Sequence, residues 1–118
     1  MKTTFKVIDG NLYEYDSNGK ITHFKDSDGF ETWYEYDSNG KVIHFEDSNG
    51  YESWSDYGSH GKIIHYKNSD DYEWWYDYDS NGNEIHFKDS DGYETWYDSN
   101  GKKITKKEFD ELQFKLWW

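Results

Sequence analysis

A repeat of 21 residues runs through most of this chain of 118 residues. The copy at residues 34–54, YEYDSNGKVIHFEDSNGYESW, shows the unit, which contains two glycine turns, one histidine and one tryptophan. A fixed period of this length indicates a repeat protein, in which each unit packs against its neighbours. The recurring positions are Asn18, Asn39, His60 and Asn81 with the glycine after each; Gly29, Gly50, Asp71 and Gly92; His23, His44, His65 and His86; and Trp33, Trp54, Trp75 and Trp96.

Each copy reads as two β-strands joined by a tight turn. Residues 30–36, FETWYEY, alternate with a period of two, and residues 41–46, KVIHFE, are rich in β-branched and aromatic side chains. Because Asn-Gly is the strongest signal for a type I′ hairpin turn, we expect that turn at the Asn-Gly pairs. The predicted fold class is all-β, with residues 1–104 forming an antiparallel meander of about ten short strands from hairpin repeats. The alternation places Phe30, Thr32, Tyr34 and Tyr36 on one face and Glu31, Trp33 and Glu35 on the other.

Both ends of the array depart from the repeat. The first and last units are each two residues short, as expected of end units that close an array. Thr105 and Glu108 have the spacing of a helix capping box, which marks the start of a helix. We predict that residues 105–118 form a C-terminal capping helix of the same domain, helical over 106–116 and covering the last hairpin. The apolar residues at helical spacing are Phe109, Leu112, Leu116 and Trp117.

The composition limits the function classes. Aromatic residues make up 22% of the chain, so a hydrophobic core must be built mainly from aromatic rings. The formal net charge of −12 disfavours direct binding to nucleic acid or anionic membranes and favours basic partners. The chain has no cysteine, no apolar run long enough to span a bilayer and no apolar signal core near Met1. Since the lack of disulfides fits a reducing compartment, we expect a cytoplasmic protein.

The regular histidines and acidic turns suggest metal sites, but their spacing argues against them. Equivalent residues of successive hairpins lie two strands apart, roughly 10 Å, which is too far for two histidines to share one ion. Glu35, Asp37, Asn39, Gly40 and Glu46 match an EF-hand-like spacing, yet the flanking residues read as strands.

Acid–base catalysis needs carboxylates with separated pKa values, whereas a repeat gives its acids similar environments. We therefore expect no catalytic residue, no cofactor, no metal ion and no enzyme activity.

The aromatic and acidic columns form the candidate binding surface. The alternative is that the tryptophans are simply core residues. However, large rings occur on both faces of the aromatic strand, and one sheet can bury only one face. Exposed aromatic surface is typical of an interaction site. The partner-binding candidates are Trp33, Tyr34, Tyr36, Trp54, Tyr57, Trp75, Tyr76, Tyr78 and Trp96, with the acids Glu31, Glu52, Glu73 and Glu94.

The repeat also resembles known families. Tyr15-Asp16, Gly19, Gly29 and Tyr36-Asp37 have the spacing of the YD repeat of RHS-type bacterial proteins, and the resemblance covers most of residues 13–101. It implies β-hairpin strips, which in that family form large shells around toxins. The WYxYxxxG pattern of residues 33–40 is similar to aromatic choline-binding repeats and to the MORN-like repeats of some antitoxins.

These features predict a non-enzymatic protein-binding module. The leading hypothesis is an acidic inhibitor or immunity-type protein, bacterial or phage-encoded, that occupies a basic partner such as a nuclease or toxin and mimics nucleic-acid charge. The alternative is a surface module that binds glycans or choline through the tryptophan and tyrosine columns. A third possibility is a structural piece of a longer repeat protein. The oligomeric state and the sheet face used for binding stay open.

Overall fold

Eleven strands and one helix make up the described part of the protein. The computed structural model describes the backbone of residues 3–116 and the side chains of residues 3–114, so the predicted contributions of the Leu116 and Trp117 side chains lie outside the described part. The elements are β1 (Thr4–Ile8), β2 (Asn11–Tyr15), β3 (Ile21–Lys25), β4 (Glu31–Tyr36), β5 (Val42–Asp47), β6 (Glu52–Tyr57), β7 (Ile63–Asn68), β8 (Glu73–Tyr78), β9 (Glu84–Asp89), β10 (Glu94–Tyr97), β11 (Lys103–Ile104) and α1 (Lys106–Leu116).

The strands form an antiparallel meander in which the order in the sheet is the order in the sequence. This confirms the predicted all-β fold class with one short C-terminal helix. The count is eleven rather than about ten because the two residues of β11 pair with β10 beside the last repeat. The contacts divide the chain into two units. The first contains the described residues up to Ser55 together with Asn68–Asp70, and the second contains Asp56–Lys67 and the described residues from Asp71 onward.

In the first unit, the pairing register sorts the side chains onto two faces. His23 lies opposite Trp33, and Tyr34 lies opposite Phe45. Because successive side chains of a strand point to opposite faces, these two pairs lie on different faces. The register shifts by one residue at Glu35/Tyr36, and at the equivalent Glu14/Tyr15 one repeat earlier. A bulge at a fixed place in the repeat increases the local twist of the strand pair.

The second unit repeats this register and adds the helix. His65 lies opposite Trp75 and Tyr76 opposite Phe87, with the bulge again at Asp77/Tyr78. The capping box of α1 forms as predicted: the Glu108 N–H donates to Thr105 Oγ1, and the Thr105 N–H donates to Glu108 Oε1, each at 3.1 Å. The Phe109 ring lies 6.0 Å from that of His86, so α1 covers part of the last hairpin. The helix of the described region is too short and too polar to cross a bilayer.

The turns at the Asn-Gly pairs are not the type I′ turns that we expected. In the turn at residues 37–41, the Gly40 N–H donates to the Asp37 carbonyl at 3.0 Å, and the Asp37 N–H donates to the Lys41 carbonyl at 2.8 Å. Gly40 has a φ of 81°, but the only described non-glycine residues with positive φ are Asp9 and Asp71, so Asn39 does not share it. This is a three-residue loop, typical of a type I turn followed by a glycine bulge.

The aspartate that opens each of these turns explains the difference. Asp37 Oδ1 accepts hydrogen bonds from the N–H groups of Asn39 and Lys41, both at 2.9 Å. An aspartate at the first position and a glycine at the fourth favour a type I turn, and this preference outweighs the Asn-Gly signal. Two consecutive positive φ angles, as in a type I′ turn, occur at Asp9 (52°) and Gly10 (84°), between the paired residues Ile8 and Asn11. The loop there has two residues, one fewer than the loop at residues 27–29 of the equivalent turn.

No hydrophobic side chain among the described residues is buried. The buried residues of that part are Gly82 and the polar residues Thr32, Asp89 and Thr95, the last three at 7%, 8% and 3% exposure. The aromatic rings do pack on one another as expected, but within each unit the strands lie in one layer, so the rings pack along its surface and no described hydrophobic side chain is enclosed. Ring pairs such as Tyr34–Phe45 and Tyr76–Phe87, with centroids 5.1 and 4.8 Å apart, do this packing.

Candidate functional site

Four clusters of one histidine, two carboxylates and one tryptophan recur in the protein, one for each histidine of the 21-residue column. In the cluster of His44, Nε2 lies 2.7 Å from Glu52 Oε2, Nδ1 lies 3.3 Å from Glu35 Oε1, and the ring stacks on Trp54 at 5.5 Å. The other three clusters have the same arrangement. They are His23 with Glu14, Glu31 and Trp33; His65 with Asp56, Glu73 and Trp75; and His86 with Asp77, Glu94 and Trp96.

Three strands assemble each cluster. The histidine lies on the middle strand, one acid lies nine residues earlier on the preceding strand, and the other acid lies eight residues later on the following strand. The tryptophan pairs directly with the histidine, as Trp54 does with His44. Because the period is the same in every copy, the meander brings together one histidine, one tryptophan and two carboxylates each time, the earlier acid being Glu14, Glu35, Asp56 or Asp77. We call the face of each unit that carries these clusters its tryptophan face.

Hydrogen bonds to the carboxylates favour the charged form of three of these histidines, His44, His65 and His86. The hydrogen bond to Glu73 raises the pKa of His65 against the effect of its partial burial. For His44 and His86, partial burial opposes the charged form, but the hydrogen bonds to both carboxylates outweigh it and raise the pKa. An imidazolium that donates from both nitrogens has no lone pair with which to accept a proton. Each cluster with a charged histidine carries a net charge of −1, one cation against two carboxylates.

The tryptophans of these clusters remain accessible to a partner. Trp33, Trp54 and Trp75 are 37%, 42% and 37% exposed, although one ring face of each is stacked on a histidine. Trp96, in the unit that carries α1, is half-buried. The structure therefore brings together the predicted candidates as four pairs, each a tryptophan and a half-buried glutamate. These pairs are Glu31 with Trp33, Glu52 with Trp54, Glu73 with Trp75 and Glu94 with Trp96.

The predicted tyrosines do not belong to this surface. Tyr34 and Tyr36, and likewise Tyr76 and Tyr78, stack on each other on the face opposite the tryptophans, which we call the tyrosine face. The Tyr36 hydroxyl donates to the Ile21 carbonyl at 2.6 Å, and Lys20 Nζ lies 5.7 Å from the ring centroid. Tyr78 makes the same contacts with Ile63 and Lys62. Tyr57 ends β6 and is half-buried.

These contacts hold strands together rather than expose rings. Because adjacent strand positions face opposite ways, the predicted tyrosines and tryptophans lie on different faces, as the alternation in residues 30–36 indicated. Burial raises the pKa of the Tyr36, Tyr76 and Tyr78 hydroxyls, so they stay protonated. A protonated hydroxyl can donate the interstrand hydrogen bond that Tyr36 and Tyr78 make.

The histidines and the earlier acid of each cluster were missed as site residues. The acid at nine residues before each histidine, which is Glu14, Glu35, Asp56 or Asp77, is a regular signal in the sequence. Its meaning depends on the strand register, because the bulge decides that Glu35 lies opposite His44. Among the described residues, one group that could hold a metal ion also forms around His44, with Glu46 and Glu52.

Comparisons with known proteins do not assign the chain to a family. No family model matches the sequence, and no curated protein matches it. The solved structures that resemble it include a variant of the Photorhabdus luminescens Tc holotoxin pore, with 18% sequence identity and a TM-score of 0.46. The match covers 80% of this chain and 6% of that chain.

Proposed function

We propose that the protein is a non-catalytic binding module that captures a basic protein through the tryptophan faces of its repeats. The observation that carries this proposal is the recurrence of an accessible tryptophan beside carboxylates, in a chain with 25 acidic and 13 basic residues. Tryptophan is the best aromatic partner for a cation, and carboxylates bind guanidinium groups through paired hydrogen bonds. Arginine and lysine side chains of a partner fit such a surface.

The negative charge of the whole chain also favours rapid association with a basic partner. An acidic surface speeds the encounter with a basic partner, and salt screens this steering. A basic nuclease or toxin, whose own ligand is polyanionic, is the class of partner that this surface would occupy, and the protein would then act as its inhibitor or immunity protein. We place this encounter in the cytoplasm, in line with a chain that has no cysteine.

A peptide titration tests the proposal. We expect nona-arginine to quench the tryptophan fluorescence of the full chain at about 50 mM salt and to bind at least about tenfold more weakly at about 500 mM. Trp54→Ala should weaken binding, whereas Tyr93→Ala, which removes an exposed ring that packs on Phe87, should not. Equal loss in both variants, or binding that is indifferent to salt, would refute capture by the tryptophan face.

A second titration addresses the alternative function. Choline and common oligosaccharides are added to the same protein, with tryptophan fluorescence as the readout. A saturable response to one of these ligands, without any response to nona-arginine, would show a small-ligand module and overturn the proposal.

A further inference from the structure

One copy of the repeat differs from the others next to its histidine. Position 46 is a glutamate, whereas the equivalent positions are Lys25, Lys67 and Lys88. In those three copies the lysine lies directly opposite a glutamate on the next strand. In the second copy Glu46 lies directly opposite Glu52. Opposite charges at such positions stabilise a strand pair and like charges destabilise it, so this hairpin lacks a cation that the others have.

The two glutamates and His44 converge on one point. A nitrogen of His44 and one carboxylate oxygen each from Glu46 and Glu52 all lie within 4.8 Å of one another. His44 and Glu52 are half-buried, and Glu46 is exposed. The group is thus anchored in the sheet on one side and open to water on the other, which leaves room for solvent ligands.

The surroundings of His44 suit it to metal binding. Glu35 Oε1 lies 3.3 Å from Nδ1, so Glu35 can fix the ring with the proton on Nδ1 while Nε2 faces Glu52. Histidines that bind metal ions commonly donate their other nitrogen to a carboxylate in this way. Stacking on Trp54 restrains the ring plane further.

We propose that His44, Glu46 and Glu52 bind one divalent transition-metal ion, of which zinc is the expected representative. One imidazole nitrogen and two carboxylate oxygens are three ligands of types that zinc accepts, and water would complete a tetrahedral site. The ion replaces the proton on Nε2 and supplies the positive charge that lysine provides in the other copies. A column of histidines from successive hairpins cannot share an ion, but one histidine with two acids from a single hairpin can. This inference does not rest on the proposed capture of a basic partner, although both proposals use Glu52.

Isothermal titration of the full chain with zinc chloride tests the site. We expect one strong site per chain in the natural sequence and its loss in Glu46→Lys, with affinity lowered by more than about 100-fold. Glu46→Lys restores the pair found in the other three copies, so the variant should fold, and its melting temperature without zinc should be higher. Zinc should raise the melting temperature of the natural protein only. Equal zinc binding in both proteins would overturn the proposal, as would no binding to the natural protein.

Two further variants make the assignment specific. Lys67→Glu copies the arrangement onto His65 and Glu73, and we expect it to bind two zinc ions per chain. His44→Gln keeps both glutamates, and we expect it to lose the strong site. Undiminished binding in His44→Gln, or tighter binding of calcium than of zinc, would show a carboxylate cluster without a histidine ligand and would overturn the proposed site.

Discussion

Single positions in the repeat show what the hairpin requires, because each position occurs several times. Gly29, Gly50 and Gly92 have φ angles of 88–92°, and Asp71 takes the same place with a φ of 65°. An L-residue with a side chain is disfavoured in this left-handed region, although aspartate tolerates it better than most. Asp71 is therefore a local strain in an otherwise favourable turn.

Removing that strain should stabilise the protein. We expect Asp71→Gly to raise the free energy of unfolding by about 1 kcal/mol, measured by urea denaturation. The reciprocal change, Gly92→Asp, should lower it by a similar amount, since an added Cβ at Gly92 meets no atom within 4 Å and only the backbone conformation is penalised. If both changes shifted stability in the same direction, backbone strain at Asp71 would not be the cause.

The charged histidines make stability depend on pH. The pKa values of His65 and His86 are raised in the folded protein, so their ion pairs contribute stability that is fully present below the unfolded pKa. That contribution is lost as the pH rises through the higher folded pKa. We therefore expect the free energy of unfolding to fall as the pH rises above about 6.5, the ordinary pKa of histidine.

The matched comparison for this effect is the double variant His65→Gln, His86→Gln. It retains the acids Asp56, Glu73, Asp77 and Glu94 but has no proton to lose at these positions in that range. Urea denaturation at a series of pH values should give a flatter profile for the variant than for the natural protein. An identical slope in the two proteins would remove these histidines as its source.

At the level of the hairpin and the helix, the sequence predicted the elements better than their connections. The 21-residue period and the alternation in residues 30–36 placed the strands, and Thr105 and Glu108 placed the start of α1. The turn type was wrong because the Asn-Gly pair was considered without the aspartate two residues before it. The histidine clusters were missed because the bulge at Glu35/Tyr36 sets which acid meets His44. No local sequence pattern predicts this strand register.

The capping box gives a prediction for α1. Thr105→Ala removes the side chain that accepts the Glu108 N–H, and loss of such a cap costs about 1 kcal/mol of helix stability. Amide hydrogen exchange in the first turns of α1 should become about fivefold faster, while exchange in β4 and β5 should not change. Lys107→Ala, at an exposed position in the same turn, is the control and should leave exchange in α1 almost unaltered. Faster exchange in the control than in Thr105→Ala would contradict a role for the cap.

Across the whole chain, the strands within each unit are held together by contacts between neighbours in the sheet. No described hydrophobic side chain is buried. The fold is therefore stabilised by the turn aspartates, ring stacking and hydrogen-bonded histidines in place of a buried hydrophobic core. Stability in such an array is approximately a sum over units and their nearest-neighbour contacts. The net charge of −12 adds repulsion to this sum, which a basic partner or a cation would relieve.

The departure of Glu46 from the lysine column shows what this construction permits. A packed interior couples its residues, so a charge reversal beside it usually disturbs many neighbours. In this protein the change faces solvent, and its direct cross-strand partners are Trp33 and Glu52. Duplicated hairpins can thus diverge one at a time. A single substitution can change the charge and the binding properties of one copy while the other copies keep the original residue. A repeat of this kind can evolve new binding sites readily, because a substitution in one hairpin has little effect on the others.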